Sequence, residues 1–262
     1  MPDIEYPEHV KRELSIDLPV RHGNRGKRVR RVQEWLTFSD FATPIDGDFG
    51  DATQFCVSRF QESRNLPVTG IVDEATWEQL VAPLKSALAP LEPLENETLS
   101  ALTLRYARQH LAQHPIELGG DNCGAWVRIY MGGEEGEDWK WCAGFVTFVM
   151  KQACATLERP LPIEGSDSCD TLAEQAREAE LFRRGRDIEN GQIPWASLGS
   201  AQIFLVRNGE NDYTHTGFSF DGQERIFSTI EGNTNDEGQS NGYEVCQRTR
   251  SLKDKDFIYL PG

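Results

Sequence analysis

The chain lacks any long apolar run. Nowhere does it carry the roughly 18 to 20 consecutive apolar residues that a membrane-spanning helix needs. Basic residues are scarce beside acidic ones: 27 Lys and Arg stand against 42 Asp and Glu, a formal charge of −15 over 262 residues. So acidic a surface repels phosphate backbones and anionic lipid, which excludes nucleic acid and membrane as expected partners. Six cysteines, with no C-x-x-C pair among them, are too few for a disulfide scaffold and give little support to structural zinc. Each is expected by default to be a small buried hydrophobe. The opening Met1-Pro2-Asp3-Ile4-Glu5-Tyr6 has neither the basic nor the apolar region of a secretory signal.

What is present suffices for packed cores, with 38% hydrophobic and 10% aromatic residues. The length suggests one large or two modest domains. Pro83, Pro90 and Pro93 punctuate APLKSALAPLEPLENE, and repeated prolines interrupt helices and ladders, so residues 83–97 read as a linker. Residues 1–24 lack periodicity and read as an extended lead-in. Residues 25–82 then carry three short helical patterns, on Val29, Val32 and Leu36, on Thr53, Cys56, Val57 and Phe60, and on Trp77, Leu80 and Val81. Asp46-Gly47-Asp48-Phe49-Gly50 and Pro67-Val68-Thr69-Gly70 are the turns between them. A compact three-helix bundle is expected. Asp46, Asp48 and Asp51 read as turn and cap residues, because a calcium loop counted from Asp46 would need a carboxylate at position 12, where Val57 stands.

Residues 98–262 change character along their length. Helices are expected over 98–114, 142–156 and 170–182. After Pro194 come strands at 203–206, 214–220, 225–230, 243–247 and 257–260, with Asn208-Gly209 and Asp221-Gly222 as turns. Helices followed by hairpin-linked strands predict an α+β fold, with helices packed on an antiparallel sheet.

Within the first unit, Val29, Val32, Gln33, Leu36, the Asp46–Gly50 turn, Thr53, Val57, Phe60-Gln61, Thr69-Gly70-Ile71-Val72-Asp73, Thr76-Trp77 and Leu80 follow in order. Over about 25–81 this resembles the peptidoglycan-binding domain 1 family. The resemblance implies a three-helix module that holds the protein on peptidoglycan.

In the second unit, Trp139-Lys140-Trp141-Cys142-Ala143-Gly144-Phe145-Val146 sets a cysteine where a turn gives way to an apolar helix. Unsatisfied N–H groups and the helix macrodipole favour the thiolate there, and the thiolate is the competent nucleophile. His215, in Tyr213-Thr214-His215-Thr216-Gly217, supplies the base that a cysteine hydrolase needs. Glu231-Gly232-Asn233 offers a carboxylate and an amide, either of which can orient the imidazole. If the strand continues through Gly232 both side chains point to one face. Glu231 is the expected orienting group and Asn233 a supporting one.

With the lead-in Glu117-Leu118-Gly119-Gly120-Asp121-Asn122, these segments resemble the CHAP and NlpC/P60 group of papain-like cysteine hydrolases over about 98–260. The resemblance implies a papain-like domain hydrolysing amide bonds of peptidoglycan through an acyl-enzyme, with Cys142, His215, Glu231 and Asn233 catalytic. Trp141, Asn122 and Asp121 are the substrate-binding candidates. One departure is Gly199-Ser200-Ala201-Gln202, where members often carry Pro-Gly-Asp. Cys123 is a second candidate nucleophile, without the tryptophan and apolar-helix framing of Cys142.

The rival readings are a zinc-dependent hydrolase and a wall-binding protein without activity. His110 and His114 have helical spacing but enclose Leu-Ala-Gln, without the glutamate base of H-E-x-x-H. No metal or other cofactor is expected. The CHAP resemblance leaves room for bound calcium near Glu134, Glu135, Glu137 and Asp138, but these residues read first as a solvated acidic loop. The expected protein is a monomer whose partner is peptidoglycan. It acts at the wall as an endolysin released by lysis, or as an antibacterial effector delivered by a dedicated secretion system and met by a cognate immunity protein. Which amide bond is cut is left open.

Overall fold

The computed structural model describes residues 4–235 and 241–261. Helices α1 (Glu8–Leu14), α2 (Lys27–Phe38), α3 (Asp51–Ser63), α4 (Glu74–Leu80) and α5 (Ala82–Leu88) come first. They are followed by α6 (Leu99–Leu111), α7 (Ala125–Tyr130), α8 (Cys142–Thr156), α9 (Cys169–Glu178) and the short α10 (Gly185–Glu189). The strands are β1 (Phe182–Arg184), β2 (Gln202–Arg207), β3 (Tyr213–Gln223), β4 (Ile226–Thr234), β5 (Glu244–Ser251) and β6 (Lys255–Tyr259). The fold is α+β. Two compact units form, one from residues 6–89 and 116–138, the other from residues 4–5, 90–115, 139–235 and 241–261.

In the first unit α2, α3 and α4 bury Val29, Val32, Leu36, Val57, Phe60 and Leu80, positions that the helical spacing singled out, whereas Cys56, expected on the same stripe, is only half-buried. Trp77 is core, and its indole N–H donates to the Leu14 carbonyl at 2.8 Å. Two buried glutamines hold the intervening turns. Gln33 Nε2 donates to Asp46 Oδ1 (2.8 Å) and the Asp48 carbonyl (3.1 Å), while its Oε1 accepts from the Gly47 amide (2.7 Å). Gln61 does the same for the next turn, donating to the Ile71 carbonyl (2.8 Å) and accepting from the amides of Thr69 and Gly70, each at 2.9 Å. A primary amide both donates and accepts, so one buried side chain satisfies several backbone groups of a turn. Asp46 is therefore a turn residue, held below the usual carboxylate range by the Asp48 amide and Gln33. Asp73 caps α4 through the Thr76 amide at 2.9 Å.

Three expectations need correction here. The lead-in is not wholly extended: α1 lies within it, with Val10 and Glu13 buried, although residues 1–3 lie outside the described residues. The linker expected over 83–97 begins as α5, since Pro83 sits in the first turn, where a missing N–H costs nothing, and Leu84, Ala87 and Leu88 are buried. Third, segment 116–138 packs with the first unit, although the sequence places it after the Pro-rich stretch. Trp126 of α7 meets Trp35 of α2 edge-on, ring centroids 5.9 Å apart.

Arg128 of α7 anchors that segment. Its guanidinium donates to Glu13 (2.9 and 2.8 Å), Glu34 (3.2 and 2.6 Å) and Glu135 (2.6 Å). Glu13 and Glu34 are themselves only 2% and 1% exposed. Glu135 is thus tied to Arg128 and to the Gly124 amide at 2.9 Å, whereas the sequence suggested a solvated loop.

The second unit is a six-stranded antiparallel sheet in the order β1-β6-β2-β3-β4-β5 among the described residues, with α8 packed on β3 and β4 and α6 on α8. Phe204, Phe227, Phe257, Ile188, Leu198 and Leu252 form a core cluster. The helix expected to run to Phe182 ends at Glu178, and Phe182 opens an edge strand paired with β6. Asp221-Gly222 is a bulge within β3 (register slips between Phe220 and Gln223), and the hairpin turn falls at Glu224-Arg225. β5 starts at Glu244, leaving Tyr243 exposed ahead of it.

Replacing Arg128 by alanine removes the buried cation that Glu13 and Glu34 share and leaves each with one partner that is more exposed, Arg31 for Glu13 and Arg30 for Glu34. Breaking such a network from one side costs about 3–5 kcal/mol. Urea unfolding of the full chain followed by circular dichroism should show an earlier transition in Arg128→Ala. Combining Arg128→Met with Glu13→Gln and Glu34→Gln should recover part of the loss. An unchanged midpoint in Arg128→Ala would contradict the anchoring role.

Candidate active site

Cys142 is the first residue of α8. The residue before it, Trp141, has a non-helical backbone and provides no side-chain cap, so the first amides of the helix stay available beside the thiol. Cys142 is buried, 5% exposed, and its Sγ lies 3.9 Å from Sγ of Cys169, the first residue of α9. α9 begins with Ser168 capping the Thr171 amide. The Asp170 carboxylate accepts from the Tyr213 amide at 2.7 Å, which ties the start of α9 to the start of β3.

His215 lies two residues along β3. Its Nε2 is 2.8 Å from Glu231 Oε2, with both side chains buried. Gly217 makes this contact possible: a β-carbon there would sit 2.9 Å from the Glu231 side chain and from the Ile230 carbonyl. Without one, Glu231 crosses from β4 to His215. The carboxylate also accepts from Arg250 of β5 at two points, Nε to Oε1 and Nη2 to Oε2, each 2.6 Å, and from the Thr229 hydroxyl at 2.6 Å. A paired two-point contact of this kind fixes both the position and the plane of the carboxylate. The guanidinium carbon of Arg250 lies 5.6 Å from the centre of the Phe204 ring.

The electrostatics separate charge across this line. The hydrogen bond from Cys169 is the strongest influence on Cys142. Against the cost of burial, and with His215 and the Thr216 amide, it holds that thiol well below its ordinary range. Burial alone would lower His215, but Cys142 on one side and Glu231 on the other outweigh it and lift the imidazole to about 9. Burial likewise opposes ionisation of Glu231, and Arg250 and His215 overcome it, keeping the carboxylate charged. Nδ1 of His215, the ring nitrogen that does not meet Glu231, is buried without a formed hydrogen bond, and Cys142 is among the groups that raise the imidazole. At neutral pH the arrangement is a thiolate beside an imidazolium.

The other expected residues fall differently. β4 does continue through Gly232, but its register slips between Glu231 and Thr234 and Asn233 has φ 54°, so plain alternation does not hold there. The Asn233 amide donates to the Gly242 carbonyl at 2.8 Å. Trp141, expected at the substrate, has no exposed surface. Its ring packs beside Gly232, where a β-carbon would lie 2.7 Å away, and it wedges the start of α8 against β4. Asp121 and Asn122 belong to the other compact unit. Asn122 is buried, its amide nitrogen donating to the Glu137 carbonyl (2.9 Å) and its backbone N–H to the Glu117 carboxylate (2.7 Å). Asp121 is exposed, and its carbonyl accepts from the Cys123 thiol at 3.3 Å. Burial and the Glu135 charge push the Cys123 thiol up, the opposite of Cys142. His110 is buried against Gln152 (2.7 Å) and lowered to about 4 by burial, while His114 contacts Glu244 (2.6 Å).

Cys169, Thr229 and Arg250 were not anticipated. Two had a weak signal, Cys169 following a capping serine at a helix start, as Cys142 follows a turn, and Arg250 alternating with Arg248 along a strand, while Thr229 had none. Neither pattern says what lies across the fold. In Glu231→Gln the imidazole loses its buried counter-charge, and His215 should titrate nearer its ordinary 6.5 than about 9. Imidazole C–H resonances followed against pH in the full chain give this directly. A titration midpoint that stayed near 9 would contradict the pairing.

Residues 25–80 match the family described as the putative peptidoglycan binding domain. No curated protein matches the chain. Among solved structures, the SleB N-terminal domain is 31% identical over 26% of this chain and 93% of its own, with a TM-score of 0.25. The endolysin of Burkholderia phage AP3 is 27% identical over 36% of this chain, with the same TM-score of 0.25. The chain spans 33% of the length of that endolysin. Among the described residues no helix is long and apolar enough to cross a membrane. The chain carries a peptidoglycan-binding domain, and with it a function tied to the cell wall.

Proposed function

We propose that this protein is a cysteine peptidoglycan hydrolase, cutting an amide bond of the wall through an acyl-enzyme on Cys142. The observation that carries the reading is the buried line Cys142–His215–Glu231, in a chain that also holds a wall-binding domain. A thiolate at an uncapped helix start, an imidazolium beside it and a carboxylate behind the imidazolium are the parts that acyl transfer to cysteine requires. The resemblance to CHAP and NlpC/P60 domains points the same way. It makes N-acetylmuramoyl-L-alanine amidase and peptide endopeptidase the two candidate activities.

The chemistry follows from the charges. The Cys142 thiolate adds to the substrate carbonyl carbon, and the backbone N–H of Cys142 stands ready for the oxyanion that forms. As the C–N bond breaks, His215 passes its proton to the departing amine. Water then adds to the thioester with His215 as base, releasing the acid and restoring the thiolate–imidazolium pair. Glu231, fixed by Arg250 and Thr229, stabilises the charged imidazole throughout. Asn233 supports the segment by holding the Gly242 carbonyl. The wall-binding domain raises the local concentration of the second unit on its polymeric substrate.

Cys142→Ala should lower release of soluble muropeptides from purified sacculi by at least about 10⁴-fold, while Cys123→Ala keeps near-normal turnover. The reverse result would relocate the nucleophile. Mass spectrometry of the products from the active protein identifies the bond cut.

The pH dependence has a definite sign. The lowered Cys142 keeps the thiolate present through the neutral range, and the raised His215 keeps its proton up to about 9. Above that the leaving amine loses its proton donor. Thus kcat/KM on a soluble muropeptide should hold across neutrality and fall as the pH passes about 9. A fall centred near the ordinary histidine value would count against the ion pair.

A further inference from the structure

Cys169 makes and breaks no bond in the hydrolytic steps and acts there only as a hydrogen-bond donor to Cys142, beside which two independent tethers hold its thiol. The Thr147 hydroxyl of α8 donates to the Ser166 carbonyl at 2.8 Å and accepts from the Ser166 amide at 3.0 Å, fastening the segment before α9 to α8. The bond from the Tyr213 amide to Asp170 fastens the first turn of α9 to the strand that carries His215. Two helix starts therefore converge, each with a cysteine as its first residue, and the sulfurs stand 3.9 Å apart. A disulfide needs them at about 2 Å, so the two sulfurs have roughly 2 Å left to close.

From this geometry we infer that Cys142 and Cys169 form a reversible disulfide under peroxide, a modification site that shields the nucleophile from irreversible oxidation. The inference rests on the reading of Cys142 as a reactive thiolate. The Cys142 thiolate attacks one oxygen of hydrogen peroxide. The O–O bond breaks, and Cys142 becomes a sulfenic acid with release of hydroxide. The Cys169 sulfur then attacks the sulfenic sulfur, and the S–S bond forms as the S–O bond breaks. The departing hydroxide takes the Cys169 proton. In total two thiols and one peroxide yield one disulfide and two waters. Cys56, Cys123 and Cys154 are poorer targets, because burial raises each of them above the ordinary thiol range.

Hydrogen peroxide is added to the reduced full chain, which is then alkylated, digested without reductant and mapped by mass spectrometry. The expected product is a peptide pair joined through Cys142 and Cys169, about 2 Da lighter than the two thiols. Hydrolysis of sacculi should be lost with the same time course and return on adding dithiothreitol. Cys169→Ser keeps a hydrogen-bond donor beside Cys142 but cannot form the link. In it Cys142 should gain two oxygens as a sulfinic acid, and dithiothreitol should not restore activity. Sulfinic Cys142 in the unaltered protein, with no joined peptide, would overturn the proposal. The cross-link is read independently of turnover. A chain that forms it but releases nothing from sacculi leaves the disulfide standing and removes the hydrolase reading, and the converse result does the opposite.

Discussion

Glu231 lies in the middle of a sheet with no exposed surface, and a carboxylate in such a place is stable only if cations and donors surround it. Arg250 from the next strand, Thr229 from its own and His215 from the strand on the other side supply them. The consequences spread outward from that carboxylate. It keeps His215 protonated to about 9, the imidazolium favours the Cys142 thiolate, and the thiolate accepts from Cys169. Gly217 belongs to the same constraint, since any side chain there would occupy the path of Glu231 across the strands. The order of the sheet, with β4 between β3 and β5, puts imidazole and guanidinium on opposite sides of one carboxylate.

The wall-binding unit solves a similar difficulty twice with neutral groups and once with charges. Gln33 and Gln61 each satisfy a turn from inside, while Phe49 and Val72 anchor the loops Asp46–Gly50 and Thr69–Asp73 in the core. Arg128 joins α7 to α1 and α2 through Glu13 and Glu34. Removing that cation alone leaves Glu13 only Arg31 and Glu34 only Arg30, both more exposed than Arg128, which makes the shared guanidinium a condition of the local packing. Holding a segment that is remote in sequence through one guanidinium also explains why the compact units do not follow a single cut in the chain.

Much of this was legible in the residues. Helical spacing marked the cores of α2, α3 and α4, and the period-two pattern after Pro194 marked the sheet, because burial on one face selects apolar residues at the period of the element. Cys142 stood out for its place ahead of an apolar helix. Other features carried no periodic signal. α1 buries only Val10 and Glu13, which make no apolar repeat, α7 is buried on every residue, and α5 lay under prolines that read as a break but occupy a first turn.

By itself the sequence determined the fold class and the wall-binding module and singled out Cys142 and His215 as candidates, since these rest on local patterns within a few residues. The tertiary structure alone decided which neighbour the imidazole takes. Glu231 and Asn233 are equivalent in a plain alternating strand, but the register slip and the left-handed backbone at Asn233 break that equivalence, and the crossing over Gly217 brings Glu231 to His215. It also decided that Arg250 and Cys169 belong to the site and that Trp141 is wedged in the core. Such pairings depend on strand order and on where separate helices begin, and no spacing along the chain encodes a contact made across it.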